Sequence, residues 1–417
     1  MNMRKNIIEF IFNLNFILWF LFTFIPIFTL VFNIYFIFLS MLITSLLVFY
    51  HCLYSHILAK TIKILVPLIA FFVLEFFYML LSSDKSLYLI LFDIFYTFYV
   101  VLFVVIFFFL NFNFYNFTSK FIIASVFFTL VTSIIGLLND PEAARFLATN
   151  DANLDSPYFI SILLQNIGGY LFVYTVIFIP LFISLVGKIS IINLFLIFLI
   201  LIYVYLSNYA IAFIFFIISI VPFTIPKKFS AKGLLLLIIL SIIFFLAYRI
   251  EIGTLLFDIS VYLRSYSETF YERFRAISDL LTGTFNPINS ITRFDLYFEA
   301  YLNIINNLPF GSIIGEIKVI NHSFILDFLS IFGIFGSIVI ILIYNYIINF
   351  YKLYFNFNSK SLFILVTFSI LLSTLNPLKP FYPLLYLIPT FFIGYKKRFK
   401  KFDLEKQIFS PTVLCNV

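Results

Sequence analysis

The stretch H-S-F-I-L-D-F-L-S-I-F-G-I-F-G-S-I-V-I-I-L-I-Y-N-Y-I-I-N, residues 322–349, decides the fold. About 20 predominantly apolar residues in a helix cross the hydrocarbon of a bilayer. This run exceeds that length and carries a single charge, Asp327. It is a membrane span. Comparable runs occupy 8–26, 28–50, 62–81, 87–110, 119–138, 158–186, 189–206, 208–222, 233–250, 360–375 and 380–395. The sequence therefore predicts an all-α polytopic integral membrane protein of about 12 transmembrane helices, within a range of roughly 10–14. The divisions within the first 50 residues and around Tyr203–Asn208 set that range.

Composition agrees. The chain is 63% hydrophobic and 11% charged, with a mean hydropathy of +1.13, whereas soluble domains carry about 25% charged residues. Phe is unusually abundant (64 residues against one Trp). Phe, Ile, Asn, Lys and Tyr are enriched together, as A/T-rich codon usage would produce, so the Phe excess is assigned no cofactor role. Two cysteines, Cys52 and Cys415, offer neither a disulfide framework nor a metal cluster. The net charge of +7 is not gathered into a basic patch interleaved with aromatics, which argues against nucleic acid as a partner. The first 50 residues lack a small-residue cleavage site and read as membrane helices, not as a removable signal.

Charge fixes the expected orientation. With the N-terminus cytoplasmic, inner segments receive every lysine except Lys85, Lys318 and Lys379, as the positive-inside rule requires. Both termini are then cytoplasmic, and residues 396–417 form a basic inner tail. Two outer segments stand out from the single membrane domain 1–417: a short acidic loop, 139–157, and a large one, 251–321. Arginine runs opposite to lysine. Arg145, Arg249, Arg264, Arg273, Arg275 and Arg293 all fall on or near the outer side. Guanidinium forks suit pyrophosphate and carboxylate oxygens, so the set points to anion binding. Pairing with the loop's own carboxylates accounts equally well for any one of them.

Within the large loop, Leu263, Tyr266, Phe270, Phe274, Ile277 and Leu281 recur at helical intervals, opposite a stripe of Arg264, Glu268, Glu272, Arg275 and Asp279. Such an amphipathic helix can lie on the membrane or roof a cavity, although a charged stripe is commonly just a solvated face. Asn286-Pro287 ends it, and a second helix follows through Phe294, Tyr297, Phe298, Tyr301, Ile304, Ile305 and Leu308. Arg293 stands at the start of that helix, where a cation is electrostatically unfavourable, so capping does not explain it. Asn306-Asn307-Leu308-Pro309-Phe310-Gly311 breaks the helix and returns the chain to the membrane. His51 and His56 read as ordinary interfacial residues at the inner edge. His322 stands at the outer edge, where imidazole can exchange a proton with an acceptor hydroxyl. No metal-ligand spacing, nucleotide-binding loop, dinucleotide fingerprint or serine elbow occurs, so activation must arrive with the substrate.

Two segments together resemble the superfamily of bacterial O-antigen polymerases (Wzy) and O-antigen ligases. That family's histidine pattern is matched by His322-Ser323, nine residues, Gly333, two residues and Gly336. Its upstream arginine and N-P-x-G segment is matched by Arg293 and Leu308-Pro309-Phe310-Gly311, with Leu in place of Asn before the proline. The resemblance implies a glycosyltransferase whose donor is an oligosaccharide on undecaprenyl pyrophosphate, working without metal or cofactor. It also implies the outer face of the bacterial cytoplasmic (inner) membrane as its place. Arg293, with one of Arg264, Arg273 or Arg275, would neutralise the leaving pyrophosphate, and His322 would orient or deprotonate the acceptor hydroxyl. Glu268, Glu272 and Glu299 are alternative bases. Arg249 is a candidate for lipid phosphate, or it snorkels at a span end. Membrane lipids and a flippase and chain-length regulator of the same pathway are the implied partners.

The motif does not separate a polymerase from a ligase that moves the finished chain to another acceptor. A lipid-linked oligosaccharide flippase shares the span number. It would need charges within the bundle, of which Glu75 and Asp93 are the main ones, and it leaves the large loop unexplained.

Overall fold

The computed structural model describes residues 2–31, 39–50 apart from 41 and 48, 66–77 apart from 68, 116–147, 156–186, 190–223, 243 and 247–265. It further describes 268–282, 293–312, 323–355, 357–380 and 382–389. Asp93, His51, His56, His322 and the tail 396–417 lie outside the described residues, as do the whole span expected at 87–110 and most of that at 233–250.

The described residues are helical, with no strand among them. Three helices are long and apolar enough to cross a membrane: Asn6–Phe24, Lys120–Asn139 and Phe324–Lys352. Four shorter apolar helices, Tyr170–Val186, Ile191–Leu206, Ile211–Phe223 and Ser359–Leu375, pack among them. The protein is thus a helical membrane protein, and these seven segments coincide with expected spans or parts of them. Ile191 and Ile192 are 87% and 75% exposed and Phe117 is 68% exposed. Large apolar side chains turned outward in such numbers suit lipid, not water. Trp19, Phe20, Tyr203 and Tyr351 are fully buried at the centre.

The elements follow local chemistry. Helix α1 (Asn2–Phe24) ends at Ile25-Pro26, and α2 (Pro26–Val31) begins at that proline. Part of the third expected span forms α3 (69–77). Helix α4 (Asn116–Asn139) leads through the short α5 (Ala143–Phe146) to α6 (Pro157–Leu164). Ser156 caps α6 by accepting the Phe159 N–H at 3.1 Å, with Pro157 at the first helical position. Next come α7 (Tyr170–Val176), α8 (Phe178–Val186), α9 (Ile191–Leu206), which Ser190 caps, and α10 (Ala210–Ile220).

The apolar run 158–186 predicts one span, but the helix breaks at 165–169. Asn166 adopts a left-handed φ of 55° there. Its Oδ1 accepts the Ile27 N–H (3.3 Å), and its Nδ2 donates to Thr129 (3.0 Å) and Thr132 (3.1 Å). Ser133 accepts the Gly168 N–H (2.8 Å), and Tyr203 OH donates to the Gly168 carbonyl (2.7 Å). Unwound backbone is tolerated inside a bundle when neighbouring side chains satisfy it, and hydroxyls on α4 and α9 do so here. Nearby, Asn208 donates to the Pro141 carbonyl and Tyr209 to that of Ala144. The turn at 165–169 is thereby tied to that at 25–27, and the turn at 207–209 to that at 139–144.

In the large loop, α11 (Arg249–Leu263) and α12 (Glu268–Thr282) form a hairpin. Helix α12 buries Ser278 and Leu281, touches α10, and turns Glu268, Glu272 and Arg275 outward, as its pattern predicts. Helix α13 (Arg293–Asn306) follows, then α14 (Phe324–Phe355) and α15 (Ser359–Leu375). Asn358 caps α15 by accepting the Ser361 N–H at 2.8 Å.

Candidate functional site

The two segments that carry the family resemblance are locked together backbone to backbone. After α13 the chain turns through Leu308-Pro309-Phe310-Gly311 and docks against α14 where that helix is interrupted. At Gly333 the backbone leaves helical geometry (φ 53°, ψ −129°). The freed Ile334 N–H donates to the Pro309 carbonyl (2.9 Å), and the Ser312 N–H donates to the Ser330 carbonyl (3.0 Å). Gly311, at φ 74°, sits directly against the break. A Cβ there would lie 2.1 Å from the Ile331 carbonyl oxygen, and one on Gly333 would lie 2.3 Å from the Pro309 oxygen. Both positions combine a left-handed φ with backbone contact that excludes any side chain. Phe310 stacks on Phe335 across the joint, with ring centroids 6.1 Å apart.

The other end of α13 is tied as firmly. Tyr297, one turn beyond Arg293, donates its OH to the Leu375 carbonyl at the end of α15 (2.8 Å). The next carbonyl, that of Asn376, accepts the Phe324 N–H from the head of α14 (3.1 Å). Helix α13 therefore begins beside the head of α14 and ends at its break. This arrangement brings backbone position 293 to the end of the bundle where α14 begins. Ser323, almost fully buried, is the N-cap of α14: its Oγ accepts the Leu326 N–H (3.0 Å), while Asp327 accepts the Ser323 N–H (3.4 Å). A serine at this place in the family pattern thus has a structural reason. His322 immediately precedes it, outside the described residues, and the side chains of Arg293 and Arg273 are likewise outside them.

Of the remaining sequence candidates, Arg264, Glu268 and Arg275 gather around Tyr271. Arg264 stacks over the ring of Tyr271 (4.7 Å) and pairs with Glu268 (3.3 Å). Arg275 donates to Tyr271 OH (2.7 Å) and pairs with Asp279 (3.8 Å). Arg264 and Arg275 are more than half exposed, so these surface pairs contribute little stability. Stacking occupies the face of the Arg264 guanidinium and leaves donors at its edge for an anion. Glu272 and Arg249 are exposed, and Glu299 is half-buried on α13. Among the described residues, no hydrogen bond or ion pair joins Arg264 or Arg275 to α13 or to the head of α14.

Sequence reasoning missed a third feature. Lys379, just beyond α15, pairs with Glu75 on α3 at 3.0 Å, both side chains being less than 15% exposed. The Lys379 ammonium lies 5.7 Å from the Phe71 ring, which stacks on Phe328 in α14. Glu75 stands out as a charge within a span and Lys379 as an outer lysine, but nothing in either neighbourhood pairs them. Among the described residues, no group of three His, Cys, Asp or Glu side chains is placed to hold a metal ion. No protein-family model, curated protein or solved structure matches the chain.

Proposed function

We propose that this protein is a membrane glycosyltransferase that polymerises undecaprenyl-pyrophosphate-linked oligosaccharide repeat units on the outer face of a bacterial cytoplasmic membrane. The observation that carries the reading is the joint between Pro309–Gly311 and the Gly333 break. The segments matching the O-antigen polymerase pattern lie apart in sequence yet pack as one unit, at glycines that admit no other residue.

In the proposed reaction, an acceptor sugar hydroxyl attacks the anomeric carbon of the lipid-linked donor. The new C–O bond forms as the bond to the pyrophosphate oxygen breaks, and lipid pyrophosphate leaves with the electron pair. His322 takes the hydroxyl proton, and Arg293 stabilises the charge developing on the departing pyrophosphate. Arg264 at the end of α11 and Arg275 on α12, with Arg273 and Arg249, offer guanidinium donors to the pyrophosphate of the donor. Glu268 and Glu272 face solvent, and Glu268 already pairs with Arg264, which favours His322 over them as the base.

Deleting the gene and complementing with Arg293→Ala or His322→Ala tests this reading. A surface glycan cut to one repeat unit, unrestored by either variant, supports it. Full-length chains stranded on the lipid carrier would indicate a ligase, and repeat units held on the cytoplasmic face a flippase. Normal chains from both variants would remove the assigned residues.

A further inference from the structure

We propose that Glu75, Lys379 and Asn376 form a saccharide-binding subsite beside the head of α14. The inference rests on the glycan-substrate reading above for its class of ligand and goes beyond it in naming where the sugar is held. An ion pair this deeply buried contributes little net stability, because desolvating both charges offsets their attraction. Ionisable side chains within a membrane bundle are instead kept mainly for what they bind or move.

Asn376 supplies the second, independent observation. It is fully buried, and its Nδ2 has no hydrogen-bond acceptor in the structure. Its Oδ1 accepts both Tyr170 OH and the Leu378 N–H, so flipping the amide would set donor against donor. The side chain is therefore fixed with a donor left over, and buried donors are rarely left without an acceptor.

Charge selects the class of ligand. An anion drawn to Lys379 would be repelled by Glu75, and a cation drawn to Glu75 would be repelled by Lys379. A neutral hydroxyl avoids both penalties: its oxygen accepts from the ammonium or from Asn376 Nδ2, and its hydrogen donates to the carboxylate. Phe71, stacked on Phe328, lines the apolar side. The same turn holds the head of α14 through the Asn376 carbonyl, which accepts the Phe324 N–H, so the subsite adjoins the start of that helix.

The test uses the oligosaccharide released by mild acid from the lipid-linked intermediates of the source cells. Saturation-transfer NMR would measure its binding to the full chain in nanodiscs. The wild-type protein is expected to bind it. Asn376→Leu removes the amide donor without adding a charge; this change, Glu75→Gln and Lys379→Gln should each weaken binding about tenfold or more. Thermal midpoints in detergent identify any variant that fails to fold, and Lys379→Gln alone then decides. No binding by the wild-type protein, or equal binding by folded variants, would overturn the subsite. Binding that is lost in the variants, by a wild-type protein that makes no polymer, would support the subsite and sink the polymerase reading instead.

Discussion

Gly311 and Gly333 show how single residues set this architecture. Each holds a left-handed backbone against a carbonyl of the opposing segment, with no room for a methyl group. Gly333→Ala should destabilise the protein by about 2–4 kcal/mol, through strain at positive φ plus overpacking. Thermal unfolding in detergent would measure this, and an unchanged midpoint would show that the joint is looser than described. The sequence pattern marked both glycines, but as matches to a family and without the reason for them. Their partnership depends on contact between Pro309–Ser312 and Ser330–Ile334, and no local propensity encodes a contact between segments 20 residues apart. Glu75 and Lys379 were illegible as a pair for the same reason, since they meet only once α3 and the turn after α15 are packed.

At the scale of elements, periodicity and end signals located the helices well. The amphipathic pattern places α12 but runs one turn too far back, across the turn at 264–265 that leaves Leu263 on α11, and the Asn306–Gly311 break ends α13. Hydropathy failed at 158–186, because an unwound turn inside a bundle leaves the average apolar character intact. What permits the break is hydroxyl side chains on α4 and α9, elsewhere in the sequence. Asn166→Ala should therefore cost about 3 kcal/mol, since it strips the Ile27 N–H of its acceptor and removes both bonds to threonine. Chemical or thermal unfolding would register the loss. A change below about 0.5 kcal/mol would mean that the break is held by backbone geometry alone.

The described residues form a helical membrane bundle, and the lysine distribution predicts its orientation. In a variant lacking Cys52 and Cys415, a cysteine at Thr284 should react with a membrane-impermeant maleimide in intact cells, and one at Ser230 only after permeabilisation. The opposite pattern would invert the topology and place the arginine loop away from an outer-face substrate. The proposed transfer between lipid-linked glycans takes place at the unit formed by α13 and the head of α14. The most direct measurement supplies purified protein in nanodiscs with the lipid-linked repeat unit alone and resolves the products by length. A ladder of multiples of the repeat, abolished by Arg293→Ala while the protein remains folded, is the result predicted. A single unextended species with the wild-type protein, or an undiminished ladder with Arg293→Ala, would contradict it.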